Sequence, residues 1–331
     1  MKLKILIVSG LSISSLHAQT NPGALNQKYR DSIKASYLEE AAIRSPAFRP
    51  VSISTSLFGA GIMSGKLGEN EVYKGDANLV ETSIGLKFPV ASWGKNTVVA
   101  NVKYQHQRME FVEEETASMG LDPSLISFSK GAVGVGAMYT RSDSLFGKKV
   151  VYLASISGLT NNISYLRKMS YMAGASFILK QNQNTNFTIG LVVNIDPSSP
   201  IPAFPLISYW HRFGYSKLEL SADPSRVSLR KMMKKDLWAS FGTSISGSTF
   251  FFEQKFQAIP EDVNYSSSDV KTGAGLEYRL FRKFMVGVEG GLAIPMDARA
   301  FEAGKTTRDY FFNNERTTRP YLNLSVSLLR L

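Results

Sequence analysis

Apolar and polar residues alternate in two runs that meet at a short turn near the end of the chain. From Val270 to Leu280, every second residue is apolar, aromatic or threonine, and most of the residues between are charged or glycine. The run from Phe284 to Ile294 repeats this pattern, broken only at Gly290. Because successive side chains of a β-strand point to opposite faces, each run predicts a strand with one apolar and one polar face.

The turn between the two runs determines which residues lie opposite each other. A slip of one residue would send every apolar side chain to the wrong face, so opposed residues must have numbers of equal parity. The shortest reasonable turn that meets this condition is Phe281-Arg282-Lys283. Leu276 is therefore predicted to face Val288 on the apolar side, and Glu277 to face Gly287 on the polar side.

Strand-like runs of the same kind recur from residue 51 to the end of the chain, and no second helical pattern of any length interrupts them. Turn residues bound the runs, which number about fourteen, with twelve as the other possible count. Short connections are expected at residues 91–96, 142–148, 180–185, 214–216, 233–236 and 281–283. Longer ones are expected at 63–76, 111–127 and 295–319. This alternation predicts an all-β, up-and-down antiparallel transmembrane barrel over residues 50–331, with both ends on the side of the short turns.

The N-terminal residues do not follow the strand pattern. Residues 1–18 read as a signal peptide, with a basic start at Lys2 and Lys4 and an apolar stretch before Ala18. In residues 19–49, apolar residues recur at helical spacing until Ser45-Pro46. These residues are expected to form a short helical segment, either a periplasmic tail or a plug in the lumen.

Composition narrows the classes of partner. The chain has no cysteine, so disulfides and cysteine–metal sites are excluded. Its net charge is +11, but the basic residues are scattered over strands, turns and loops, which argues against nucleic acid. Outer-membrane lipid and lipopolysaccharide headgroups are the expected partners. All three tryptophans, Trp93, Trp210 and Trp238, lie in or near short turns, which predicts one aromatic belt at a membrane interface.

The signal peptide, the alternating runs and the last strand, Leu322 to Leu328, resemble those of Gram-negative outer-membrane β-barrels. More narrowly, the chain is similar to a family of envelope barrels known only as a domain of unknown function. The resemblance implies an outer-membrane location and insertion by the barrel assembly machinery. Such barrels usually end on an aromatic residue that this machinery reads, whereas this chain ends Leu329-Arg330-Leu331.

No catalytic, cofactor or metal site is expected. Only His106 and His211 remain after the signal peptide, and no G-x-S-x-G elbow is present. The glycines at 131, 134 and 136 open no helix, so they do not predict a nucleotide site. The acidic run at residues 113–115 is expected to lie in a solvated outer loop.

The polar faces of the strands carry charges that could line a water-filled lumen: Glu81, Lys87, Lys103, Lys271, Glu277, Arg279 and Glu289. These charges could equally pair and close the lumen. A pore or passive transporter for small solutes is favoured, because about fourteen strands enclose more space than side chains fill easily. The alternatives are a structural or assembly barrel with a closed lumen and, third, a lipid-modifying enzyme.

Overall fold

The strands of this protein form one closed antiparallel barrel. The computed structural model describes residues 36, 38–117, 128–162, 164–196, 202–253 and 260–330. Fourteen strands surround the lumen, so the predicted barrel is confirmed. The strands are β1 Val51–Leu67, β2 Asn70–Trp93, β3 Asn96–Ala117, β4 Phe128–Leu145, β5 Lys148–Thr160, β6 Lys168–Gln181, β7 Thr185–Ile195, β8 Ala203–Arg212, β9 Leu218–Asp223, β10 Arg226–Lys234, β11 Leu237–Glu253, β12 Asp262–Leu280, β13 Phe284–Glu302 and β14, in two segments, Tyr310–Arg316 and Arg319–Leu328.

The barrel closes where β14 pairs with both β1 and β13. The two segments of β14 are separated just before Pro320, which cannot donate a ladder hydrogen bond. Opposite this break, the register of β1 shifts between Phe58 and Gly61. A Cβ atom at Gly59 would lie 2.9 Å from Cγ of Pro320, so glycine is what allows the proline ring to pack there.

The β12–β13 hairpin has the predicted register. Leu276 pairs with Val288, and Glu277 pairs with Gly287. The turn is Phe281–Lys283, closed by a hydrogen bond from the backbone N of Lys283 to the carbonyl of Leu280 at 3.2 Å. The predicted three-residue turn is therefore confirmed.

Several strands are longer than their apolar runs predict. The connections expected at 63–76 and 295–319 are largely strand: β1 and β2 continue to a tight turn at Gly68, and β13 continues to Glu302. The acidic residues 113–115 belong to β3 and not to a loop, and residues 118–127 lie outside the described residues. The predictions failed because strand pairing needs only backbone partners, so a hairpin can continue after its apolar face ends.

The N-terminal helix prediction is confirmed in part. Residues 38–44 are helical, and a 3₁₀ turn at Pro46–Phe48 follows Ser45, where the sequence predicted the end of the helix. The expected signal peptide, and the start of the helical pattern, lie outside the described residues. None of the helical residues described forms a helix long and apolar enough to cross a membrane.

The outer surface of the barrel carries a continuous belt of exposed apolar side chains. Leu276, Val288 and Leu324, on three neighbouring strands, are 49%, 39% and 48% exposed. The residues that alternate with these apolar residues along each strand point into the lumen. Two of them, Ser327 and Met285, are 4% and 0% exposed. The assignment of faces from parity is therefore correct on these strands.

Apolar packing fills one side of the lumen in the half of the barrel away from the short turns. Strands β1, β2, β3, β13 and β14 contribute one cluster, whose largest members are Phe58, Met63, Tyr73, Leu79, Met109 and Tyr321. A second cluster joins β11–β13 to β4 through Phe250, Phe251, Tyr265 and Ala132. Phe128 of β4 lies edge-on to Phe252 of β11, with ring centroids 5.5 Å apart. These two strands are not paired, so their contact crosses the lumen.

The apolar belt makes a prediction about membrane insertion. Leu276→Arg should destabilise the barrel in liposomes by about 2–4 kcal/mol, because it places a charge on the lipid face. Phe146→Arg is the matched control, since Phe146 lies in a short turn and is 88% exposed. Denaturant unfolding in liposomes measures both variants. Equal stability of the two variants would show that Leu276 does not face lipid.

Candidate functional site

The charged residues that the sequence singled out lie on the inner face of the barrel. Five of the seven have an exposed apolar neighbour on β2, β3, β12 or β13, whereas the neighbours of Glu81 and Lys271 are half-buried. They form two groups. Lys87, Glu277, Arg279 and Glu289 lie towards the short turns, and Glu81, Lys103 and Lys271 lie deeper, beside the apolar clusters. That they line a solute path stays a prediction.

Arg49 reaches from the N-terminal segment into the lumen. Its side chain is 2% exposed, and its Nη2 donates to Oε1 of Glu277 at 2.6 Å. Its Nε donates to the carbonyl of Ala42 at 3.0 Å, which ties the helical residues to the same point. Arg230 of β10 donates to the other oxygen of Glu277 at 2.9 Å. One wall carboxylate thus balances two buried guanidinium groups.

Further contacts fix the N-terminal segment in the mouth of the barrel. Arg279 Nη1 lies 3.3 Å from Oε1 of Glu39, and the same guanidinium pairs with Asp236 in the turn between β10 and β11. Lys87 Nζ donates to the carbonyl of Ala47 at 2.7 Å. Residues 38–49 therefore lie against the wall in the mouth of the barrel, at the short-turn end. We call these residues the plug.

The plug also packs against two of the three tryptophans. Trp238 is 6% exposed and belongs to a buried cluster with Ala42, Met285 and Leu329. The guanidinium of Arg44 lies over the ring of Trp210 in a cation–π contact, 3.9 Å from the ring centroid. The expectation of one tryptophan belt is therefore wrong: all three lie near short turns, but only Trp93, 52% exposed, faces outward. The parity of Trp210 and Trp238, which is that of inward residues, is the signal that could have shown this.

A polar cavity of about 230 Å³ lies behind the plug. Arg49 and Pro46 form its plug side, and strands β1 and β10–β14 form the rest. Its polar lining comprises Arg49, Ser52, Ser54, Arg226, Ser240, Glu277, Glu289, Asn323, Ser325 and Ser327. The cavity thus combines hydroxyl groups with charges of both signs.

The deeper charges are largely paired and packed. Lys271 Nζ lies 3.7 Å from Oε2 of Glu81 and 4.7 Å from the ring centroid of Phe58. Arg316 pairs with Asp269 at 3.1 Å, and both side chains are almost fully buried. Glu81 also interacts electrostatically with Lys103. This side of the lumen resembles a protein core.

Sequence reasoning missed a face of small hydroxyl residues on β5–β9. These residues alternate with exposed apolar residues such as Ile156, Tyr171 and Ile189, so they point inward, and they are only half-buried. Neighbours on this face pair across strands: Ser157 with Ser170, and Thr188 with Ser208. The face comprises Ser155, Ser157, Ser170, Thr188, Ser208 and Ser221. We call it the hydroxyl face; the parity of these serines and threonines was its sequence signal.

The histidines lie on the outer surface. His106 Nε2 lies 2.9 Å from Oγ of Ser129, a pair that sequence spacing did not reveal. His211 Nδ1 lies 3.0 Å from Oγ1 of Thr185. Among the residues that the structure describes, no carboxylate is hydrogen-bonded to either imidazole, so the group that would orient a catalytic histidine is missing from these pairs.

Neither a protein-family model nor a curated protein sequence matches this chain, so the narrower resemblance to an uncharacterised envelope family has no support. Solved structures do match. An outer-membrane channel from Pseudomonas putida F1 is 11% identical, with a TM-score of 0.34, covering 85% of this chain and 96% of that one. The toluene transporter TodX of P. putida is 10% identical, with a TM-score of 0.32 and coverages of 84% and 88%. A FadL homologue of Pseudomonas aeruginosa is 7% identical, with a TM-score of 0.28 and coverages of 85% and 90%. These values carry no argument about function, which rests on this chain's own residues.

The contact between the plug and the wall makes a prediction about stability. Glu277→Gln should destabilise the folded protein by about 3–5 kcal/mol, because Arg49 and Arg230 would lose their buried counter-charge. In the double variant with Arg49→Met, much of that loss should be recovered, since one of the two unpaired charges is gone. Denaturant unfolding of the two single variants and the double variant measures the coupling. Additive losses would show that Arg49 and Glu277 do not interact in the folded protein.

Proposed function

We propose that this protein is an outer-membrane channel for small polar solutes, whose periplasmic mouth is closed by its own N-terminal plug. The observation that carries the proposal is the burial of Arg49 against Glu277, in front of a polar cavity inside the barrel. The apolar belt and the closed sheet support a membrane location, since a closed barrel leaves no backbone edge in lipid. Lipid, lipopolysaccharide and the barrel assembly machinery are the partners that this location implies.

The way in which the plug is held supports a removable closure. Among the described residues, the plug contacts the wall through ion pairs, a hydrogen bond from Lys87, a cation–π contact and a small apolar cluster, and it adds no strand to the sheet. Water solvates the charged groups when such pairs separate, and the wall keeps all of its ladder hydrogen bonds. The plug can therefore leave the mouth without unfolding the barrel. Its departure would open the cavity behind it to the periplasm.

The hydroxyl face supplies the rest of the proposed route. The apolar clusters occupy the side of β1–β4 and β11–β14, whereas the hydroxyl residues of β5–β9 stay partly accessible. Serine and threonine hydroxyls donate and accept hydrogen bonds, so they can replace water around a polar solute. A solute would pass along this face and bypass the packed side.

A second candidate is a structural or assembly barrel with a closed lumen. The contact of Phe128 with Phe252 across the lumen favours it, because apolar packing of this kind does not separate as readily as ion pairs. In that case, the plug would be a permanent part of the fold.

Planar-bilayer recordings distinguish the two functions. The wild-type protein should open rarely, and Arg49→Ala should open often, because the buried pair that holds the plug is lost. Deletion of residues 19–49 should give the most stable conductance steps. Lys66→Ala is the control: it removes the exposed pair between Lys66 and Glu315, far from the plug, and should behave as wild type. Silence of both the Arg49→Ala variant and the deletion variant would favour the structural barrel.

The proposed orientation has its own test. The chain has no cysteine, so a single introduced cysteine reports its own accessibility. Cysteine at Lys305, in the connection between β13 and β14, should react with an impermeant maleimide in intact cells. Cysteine at Lys235, in a short turn, should react only after the outer membrane is permeabilised. The reverse labelling pattern would show that the barrel has the opposite orientation in the membrane.

A further inference from the structure

The cavity behind the plug has two charged groups that the wall itself does not neutralise. Within the cavity, Arg49 forms an ion pair with Glu277, which neutralises its charge. The side chain of Arg226, on β10, forms no hydrogen bond or ion pair with a described residue, although it interacts electrostatically with Glu277. Glu289, on β13, accepts one hydrogen bond from the hydroxyl of Tyr321 at 2.6 Å, through Oε1. Its second oxygen forms no hydrogen bond with a described residue.

The strands between these two groups carry very small residues. Arg226 and Glu289 are separated by β11 and β12, which place Ser240 and Gly275 on the cavity side. A Cβ atom at Gly275 would lie 3.1 Å from Oγ of Ser240 and 3.5 Å from Cβ of Glu289. The absence of that atom leaves space beside Glu289 on the cavity side. Arg226 reaches the same cavity from a position four residues before Arg230, which pairs with Ser240. A small molecule can therefore lie against the wall and reach both groups.

From this geometry we infer that the cavity is a binding site for a small zwitterion of the α-amino acid type. The carboxylate of the solute pairs with Arg226, and its ammonium group pairs with Glu289. The serines of β1 and β14 and the side chain of Asn323 surround the solute with further donors and acceptors. This assignment names a solute class for the proposed channel, and its physiological meaning rests on that proposed function.

The two uncompensated charges disfavour simpler ligands. Arg226 and Glu289 have no counter-charge of their own in the lining, so a lone anion would meet repulsion from Glu289 and a lone cation from Arg226. A neutral polyol would displace water from Arg226 and Glu289 without supplying a counter-charge. Leaving a desolvated charge unpaired is costly, so the site favours a ligand with both charges.

Ligand-dependent thermal unfolding of the full-length protein in detergent tests this site and needs no conduction. L-alanine should raise the unfolding temperature, because a ligand that binds only the folded state stabilises it. Propionate, propylamine and glycerol, each lacking one or both charges, should not. Arg226→Gln and Glu289→Gln should each abolish the shift caused by L-alanine. Lys66→Gln, at the exposed Lys66–Glu315 pair, should retain it.

Gly275→Ala provides a variant that changes no charge and keeps the strand. Its added methyl group enters the space between Ser240 and Glu289, so the L-alanine shift should fall at least several-fold while the unliganded barrel stays folded. An equal shift with propionate would make this an anion site, and an equal shift with glycerol would make it a hydroxyl site; either result overturns the inference. Conductance without an L-alanine shift would overturn the inference and leave the channel proposal standing. A shift without conductance would support the binding site and overturn the channel proposal.

Discussion

Backbone hydrogen bonding in a medium without water is the constraint on which this architecture depends. A sheet in lipid must leave no donor or acceptor unpaired along its edges, and closure of the barrel meets that demand. The closure rests on β14, which is broken before Pro320 and still pairs with both neighbours on either side of the break. The register shift at Phe58–Gly61 compensates in β1, and Gly59 gives the proline ring room. A proline is therefore tolerated at the seam because the opposite strand bends with it.

Closure leaves the inner face free to serve other purposes, and the chain uses this face in three ways. Apolar side chains on β1–β4 and β11–β14 build a core inside the lumen. Charges near the short turns, above all Glu277, hold the plug. Small hydroxyl residues on β5–β9 remain partly accessible. Only the last of these suits a passage for water, so the lumen is better described as a half-filled barrel than as an open tube.

The sequence predicted the barrel, its strand number of about fourteen, the β12–β13 register and the approximate positions of the short turns, because each depends on neighbours along the chain or on a period of two. The sequence did not predict the ion-pair partners of the inward-facing charged residues. Glu277 and Glu81 lie on inward faces of the same kind, yet Glu277 binds the plug residue Arg49, 228 positions away in the sequence, and Glu81 pairs with Lys271. Such partners are set by which strands face each other across the lumen, and alternation carries no information about that.

The same reasoning explains why the tryptophans were placed correctly along the strands and wrongly across them. Their closeness to short turns is a local property, and it holds for all three. Whether an indole meets lipid or the lumen depends on parity and on what occupies the lumen, and here the plug supplies an apolar partner for Trp238 and a cation for Trp210. Both inward tryptophans of this barrel lie at its mouth and contact the plug. The sequence left open whether residues 19–49 form a periplasmic tail or a plug. The inward parity of Trp210 and Trp238 favours the plug.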